Sequence, residues 1–252
     1  PDDKTPSNGS NDIKPTNGNG STSGVPTEKS SPKKSQNGRA ANGKTDAHSY
    51  DESKVKTLSS LEHIRLRTGM YIGRLGDGND LDDGIYILLK EVIDNAVDEY
   101  IMGYGKHVDI RIGEDGRVKV RDFGRGIPLG KIVECVSVIN TGAKYNDGVF
   151  QFSVGLNGVG TKAVNALSSE FKVVAYRGGE YASATFEQGR LLEELKGQVS
   201  DEPDGTLVEF LPDTDIFDEY AFNTDYVERR MWNYACLNSG LRLVYNKKRF
   251  VS

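Results

Sequence analysis

Lys90-Glu91-Val92-Ile93-Asp94-Asn95-Ala96-Val97-Asp98-Glu99 is the stretch around which the rest of the chain can be ordered. Ile85, Leu88, Leu89, Val92, Ile93, Ala96, Tyr100 and Ile101 recur at the three-and-four spacing that gathers side chains on one face of a helix, and that face is expected to be buried. The opposite stripe carries Glu91, Asn95, Asp98 and Glu99 and is expected to face solvent. Glu91 and Asn95 stand one turn apart and point the same way, so a carboxylate and a carboxamide could jointly hold a water and a hard cation. Taken alone, the stripe reads first as an ordinary solvated helix face.

Outward from the helix, composition sets limits. Residues 1–48 are Ser, Asn, Gly, Pro and Lys with almost no large apolar side chain, so nothing offsets their ordering entropy and the segment is expected to be disordered. Its seven Lys or Arg against five Asp or Glu make it plus two, which leaves minus seven on the remainder, from a net charge of minus five. An acidic globular part argues against this chain gripping DNA phosphates by itself. No apolar run reaches membrane-spanning length and no secretion signal is visible. Cys135 and Cys236 both lie in apolar helical patterns and read as reduced core residues of a cytosolic protein. Gly38-Arg39-Ala40-Ala41-Asn42-Gly43-Lys44-Thr45 fits the phosphate-loop pattern Gly-x4-Gly-Lys-[Ser/Thr], but no buried strand precedes it and no helix pattern follows, so the match is read as chance.

Order is expected from near Tyr50, in a domain covering 49–252. Ser59-Ser60-Leu61-Glu62 has the form of a capping box for a short helix through His63 to Arg67, and Gly69 to Gly73 forms an apolar corner. The long helix ends near Gly103. His107 to Ile112 and Arg117 to Arg121 alternate across Glu114-Asp115-Gly116, a hairpin signature that delivers Asp122 at its end. In Asp122-Phe123-Gly124-Arg125-Gly126-Ile127-Pro128, a carboxylate beside two glycines offers an acceptor next to backbone that a flat group can approach, as an adenine amine requires; an ordinary tight turn has the same composition. Pro128 is placed to open a helix through Ile139, and Lys144 follows a glycine turn. Gly155-Leu156-Asn157-Gly158-Val159-Gly160-Thr161 then leads into a helix, and its exposed N–H groups make a ready anion site with the character of a lid. Phe171 to Tyr176, Tyr181 to Glu187, Gly189 to Leu195 and Thr206 to Leu211 read as antiparallel strands, Tyr226 to Leu237 as a helix and Leu241 to Tyr245 as a strand. Ser252 falls within what reads as a continuing hairpin, as expected of a fragment.

Glu91-x-x-x-Asn95, Asp122-x-Gly124-x-Gly126, Gly155-x-x-Gly158-x-Gly160 and Gly205-Thr206 resemble, in this order, the four ATP-binding motifs of the superfamily of gyrase, Hsp90, histidine kinases and MutL. Each motif is weak and the ordered set is specific. Arg67-x-Gly69-Met70-Tyr71-Ile72-Gly73 and the arm at Tyr50 narrow the resemblance to the B subunits of bacterial type IIA topoisomerases, over Tyr50 to the end.

That resemblance implies an α/β (α+β) two-layer sandwich, the Bergerat ATP-binding fold, with a mixed, mostly antiparallel sheet and helices on one face. It implies that Glu91 is the general base for the water attacking the γ-phosphate of ATP, and that Asn95 holds Mg²⁺. Asp122 matches the adenine-reading aspartate, with Thr206 supporting it through a shared water and Asp98 beside the site; Gly124 and Gly126 leave room for the base, and Ile127 and Pro128 line the pocket. Lys144 and the N–H groups of Gly155, Leu156, Asn157, Gly158, Val159, Gly160 and Thr161 would hold the triphosphate. Glu99 and Arg125 would pair across the mouth, where aminocoumarin-type inhibitors bind in this family, and Tyr50 would reach the nucleotide of a second copy. The implied partners are that second copy in an ATP-dependent homodimer, a DNA-cleaving A-type subunit, and double-stranded DNA through the full-length protein, in a cytoplasmic, nucleoid-associated setting. Thr68, Phe123 and Asn157 depart from the usual proline, aspartate and histidine, and Asn157 with Lys162 resembles the lid of eukaryotic type II enzymes. Gyrase and topoisomerase IV both stay open, with topoisomerase IV favoured. The family's second ATPase subdomain, which supplies a γ-phosphate lysine, is absent, so slow turnover is expected. A histidine kinase would need a phosphoacceptor histidine on a helical hairpin, a setting that none of His48, His63 and His107 has.

Overall fold

The computed structural model describes residues 55, 57–141 and 158–252. Eight strands form one sheet: β1 (His107–Ile112), β2 (Val118–Asp122), β3 (Ser168–Arg177), β4 (Glu180–Glu187), β5 (Arg190–Gln198), β6 (Gly205–Pro212), β7 (Arg242–Tyr245) and β8 (Lys248–Phe250). Their order is β5-β4-β3-β6-β2-β1-β7-β8, and every pair is antiparallel except β1 with β7.

Period-2 patterning divides the sheet into two faces. Tyr245, Ile110, Val120, Val208, Val173 and Ala184 lie in register across six strands, all buried. One residue along, Arg111, Lys119, Glu209 and Lys172 form a charged row on the opposite face, with Lys119 Nζ 2.9 Å from Glu209 Oε2. Water therefore wets one face, and the helices cover the other.

Those helices are α1 (Ser60–Leu66), α2 (Gly69–Ile72), α3 (Gly84–Ile101), α4 (Ile132–Ser137), α5 (Gly160–Ala166), α6 (Thr214–Phe217) and α7 (Thr224–Leu237), with a 3-10 turn at Leu129–Lys131 before α4. The capping box predicted for α1 forms: Ser59 Oγ accepts from Glu62 N at 3.3 Å and Glu62 Oε2 accepts from Ser59 N at 2.8 Å. Asn223 caps α7 through its side-chain oxygen, which accepts from Asp225 N. α3 packs on β2 and β6 and against α5, with Ile85, Leu88, Leu89, Val92, Ile93 and Ala96 buried as their spacing predicts. Each of the five larger side chains contributes about 1.5–3 kcal/mol through burial, and Ala96 about 0.8 kcal/mol.

Three sequence expectations are corrected. The polar stripe of α3 is not open to water: Asp98 is buried, and Glu91, Asn95 and Glu99 are half-buried, because the helix is covered on more than its apolar face. Ile101, assigned to the buried face, is 37% exposed at the helix end. Cys236 is exposed on α7 and Cys135 half-buried; both are free thiols. The last hairpin closes as β7 with β8. No helix among the described residues is long and apolar enough to cross a membrane.

Candidate active site

Asp122 ends β2 on the face that Val118 and Val120 share, beneath the helix layer. It is 8% exposed. Its Oδ1 accepts from Gly124 N at 2.9 Å and, across to β6, from Thr206 N at 3.2 Å. Burial pushes its pKa up to about 6, and those two N–H bonds resist the shift. Thr206 thus meets Asp122 directly through its backbone.

The turn after Asp122 is braced on both sides. Arg121 donates to the Asp122 carbonyl, to Glu202 Oε1 at 3.0 Å and to Pro203 O at 2.6 Å. Its guanidinium lies 4.6 Å from the Phe123 ring centre and 4.7 Å from that of Tyr176. Phe123 stacks in turn on His107, 5.2 Å away and 17° from parallel. Glu99 from α3 takes Arg125 in a two-pronged pair, Oε2 accepting from N and Nε at 2.9 and 3.0 Å and Oε1 from Nη2 at 2.9 Å. Tyr104 lies under that guanidinium at 4.5 Å. A Cβ at Gly124 would come 2.7 Å from the Glu99 side chain, and one at Gly126 2.5 Å from Tyr176 O, so both glycines are required by neighbouring protein atoms. Ile127 packs half-buried against the core and Pro128 is exposed before the 3-10 turn.

Further along α3, Asn95 Nδ2 donates to Glu91 O at 2.9 Å and to Thr161 Oγ1 at 2.8 Å, which fixes the amide with its nitrogen toward α5. Glu91 lies against Gly160, the first residue of α5: a Cβ there would stand 1.9 Å from Glu91 Oε2. Gly158 and Val159 lead into that helix, with Gly158 at φ +60. Lys162 is buried, and its Nζ donates to Thr141 O at 2.7 Å. Tyr50, Lys144, Gly155, Leu156 and Asn157 lie outside the described residues, as do the tail and its phosphate-loop match.

The structure therefore gathers Asp122, Gly124, Arg125, Gly126 and Thr206 with Glu99 around one turn, and Glu91, Asn95, Gly160 and Thr161 at the contact of α3 with α5. Sequence reasoning passed over Arg121, Tyr104, Lys90, Asp94 and Tyr234. Lys90 and Asp94 have a visible signal, opposite charges four apart on a helix. Arg121 and Tyr234 have none, because Tyr176, Glu202 and Pro203 for the one and Asp94 for the other lie far along the chain.

Residues 80–216 match the family model for histidine kinase-, DNA gyrase B-, and HSP90-like ATPases. The chain belongs to that ATPase family. Within the family, it is 63% identical over 203 residues to the B subunit of DNA topoisomerase 4 from Borreliella burgdorferi, covering 81% of this chain and 34% of that protein. It is 38% identical over 210 residues to the B subunit of DNA gyrase from Thermus thermophilus, covering 79% and 32%. The crystal structure of the 43K ATPase domain of Thermus thermophilus gyrase B in complex with an aminocoumarin superposes with a TM-score of 0.64 at 30% identity, over 77% of this chain and 52% of that one. This ATPase-family chain spans about a third of the length of the curated relatives it matches. The mixed eight-stranded sheet with its helices is the fold of that gyrase B ATPase domain.

Proposed function

We propose that this chain is the ATP-binding and hydrolysing domain from the B subunit of a type II DNA topoisomerase, part of an ATP-operated dimer clamp that drives DNA strand passage. The observation that carries the reading is the presence, in an ATPase-family fold, of a buried strand-end carboxylate, Asp122, with the Glu91 and Asn95 pair on the helix that packs over that strand.

The residues fit the group they would bind. Both backbone bonds to Asp122 go to Oδ1, which leaves Oδ2 to accept the exocyclic amine of adenine. Thr206, Ile127, Pro128, Gly124 and Gly126 complete the base pocket, and Asp98 supports it from within α3. Among the described residues no three His, Cys, Asp or Glu side chains gather as a metal-binding group. A single amide oxygen from Asn95 suits Mg²⁺, which takes water and substrate phosphates as its other ligands. When bound there, the cation would offset phosphate charge. Glu91 would orient the attacking water and take its proton. Lys144 and the backbone from Gly155 to Thr161 would hold the triphosphate.

Glu99 and Arg125 at the mouth are proposed to meet aminocoumarin-type inhibitors, in keeping with the gyrase B complex above. Tyr50 would reach a second copy of the chain on closure. The DNA-cleaving A-type subunit and the DNA would be engaged by the full-length assembly, in the cytoplasm at the nucleoid. Topoisomerase IV is favoured over gyrase by 63% identity against 38%. Residues 1–48 are proposed as a disordered tail and 49–252 as the ATP-binding domain.

Phosphate release at saturating Mg-ATP tests the assignment of Glu91. Glu91→Ala should lower it at least about 100-fold while affinity for a non-hydrolysable analogue stays within about three-fold. Retained turnover in that variant rejects Glu91 as the base.

A further inference from the structure

Lys90 precedes the proposed base on α3, and it is anchored where a solvated lysine would be free. Its Nζ lies 2.5 Å from Asp94 Oδ2 and 3.7 Å from Glu91 Oε1. The Asp94 side chain is 1% exposed, and its other oxygen, Oδ1, accepts the hydroxyl of Tyr234, which reaches over from α7. Burial, then the Asp94 charge, pushes the Tyr234 phenol far above its ordinary pKa, so it remains a donor. Burial works against the Lys90 ammonium, but the hydrogen bond and charge of Asp94 and the charge of Glu91 outweigh it and raise its pKa. On the far side of Glu91, Oε2 rests against the bare backbone of Gly160.

We propose that Tyr234, Asp94 and Lys90 form a positioning relay from α7 to α3 that holds the Glu91 carboxylate in its working orientation. The inference rests on the reading of Glu91 as the base. Asp94 has both oxygens engaged, so it cannot rotate without losing a buried bond. Lys90, tied by a charge-assisted bond, loses the rotamer freedom of an exposed lysine and presents a fixed positive charge beside Glu91 Oε1. The asymmetry of the two distances matters. The ammonium's short bond goes to Asp94, so it steers Glu91 by charge without engaging the lone pair that must accept a proton. The carboxylate is thereby located from both sides, by the cation at Oε1 and by Gly160 at Oε2. A base held this way spends less of each encounter out of line with the water. Lys90, Asp94 and Tyr234 act through Glu91 and are positioning residues.

The test is single-turnover hydrolysis of Mg-ATP by the full chain, with Lys90→Met, Lys90→Arg, Tyr234→Phe and Glu91→Ala in parallel. Lys90→Met should lower the rate at saturation about ten-fold while the half-saturating ATP concentration moves less than about two-fold. Lys90→Arg should recover most of that loss, and Tyr234→Phe should cost about three-fold. Lys90→Met added to Glu91→Ala should cost nothing further, as expected of residues acting as one unit. An unchanged rate in Lys90→Met, an equal loss in Lys90→Met and Lys90→Arg, or a further loss on the Glu91→Ala background overturns the relay. If Glu91→Ala itself hydrolyses normally, the base assignment has failed, and that outcome is distinct from failure of the relay alone. Lys90 is surface-reaching, so its two variants test the relay even where Tyr234→Phe does not fold.

Discussion

Asp122 is a carboxylate kept in place at a cost. Its pKa rises from 3.8 to about 6, with burial the largest cause. A folded-state pKa above the unfolded one means that its contribution to stability is full below about pH 4 and is lost as pH rises through about 6. Above that the buried charge costs about 3 kcal/mol, from a shift of roughly two pKa units. Asp122→Asn keeps a carbonyl to accept from Gly124 and Thr206 and removes the charge. Differential scanning calorimetry of the ligand-free chain should find the variant melting roughly 5 °C or more above wild type at pH 7.5, with the gap closing near pH 4. Equal or lower melting at pH 7.5 contradicts the burial argument. The same variant should lose ATP affinity, since the amide would turn N–H groups toward the donor amine of adenine. A residue that lowers stability and still occupies the end of a core strand is best accounted for by binding.

At the scale of elements, the contact between α3 and α5 is the tightest constraint on the site. Because Gly160 is the first residue of the helix, Gly160→Ala would favour α5 on helix propensity by less than the roughly 1 kcal/mol of an interior position. Its methyl, however, would stand 1.9 Å from Glu91 Oε2 and 3.0 Å from Glu91 Cβ, so the carboxylate must move. Analogue binding should stay within about three-fold and hydrolysis should fall at least about ten-fold, measured by calorimetry and phosphate release; hydrolysis at the wild-type rate contradicts the placement of Glu91. Elements with a long, clean period were legible in advance: α3, β1, β2, β3, β4 and β6 fall within a few residues of their expected bounds. α6 spans four residues, too few to carry a period. The stripe of α3 was misjudged because periodicity reports hydrophobicity and says nothing of cover. Asp94, beside that stripe, is buried where a tyrosine 140 residues away donates to it, and such a partner leaves no trace in a local window.

For the whole molecule, the fold class was legible and the strand order was not. β1 pairs with β2 through a local hairpin, but its parallel neighbour β7 begins 135 residues later, His107 facing Arg242, and no turn chemistry announces that crossover. The placement of the candidate residues was legible: Glu91 and Asn95 one turn apart in the middle of α3, Asp122 at the end of β2 and Thr206 at the start of β6. The supports behind them were not: Arg121 under the Asp122 turn and the Lys90, Asp94 and Tyr234 chain exist only once the sheet and helices have assembled. The central claim is that nucleotide binds in the pocket between α3 and the end of β2, and that the phosphate-loop pattern in the tail is an accident of composition. The most direct test is calorimetric binding of a non-hydrolysable ATP analogue with Mg²⁺ to this chain, to Asp122→Ala and to Lys44→Ala. Binding lost with Asp122→Ala and unchanged with Lys44→Ala is the predicted result. Binding lost with Lys44→Ala and kept with Asp122→Ala would contradict it.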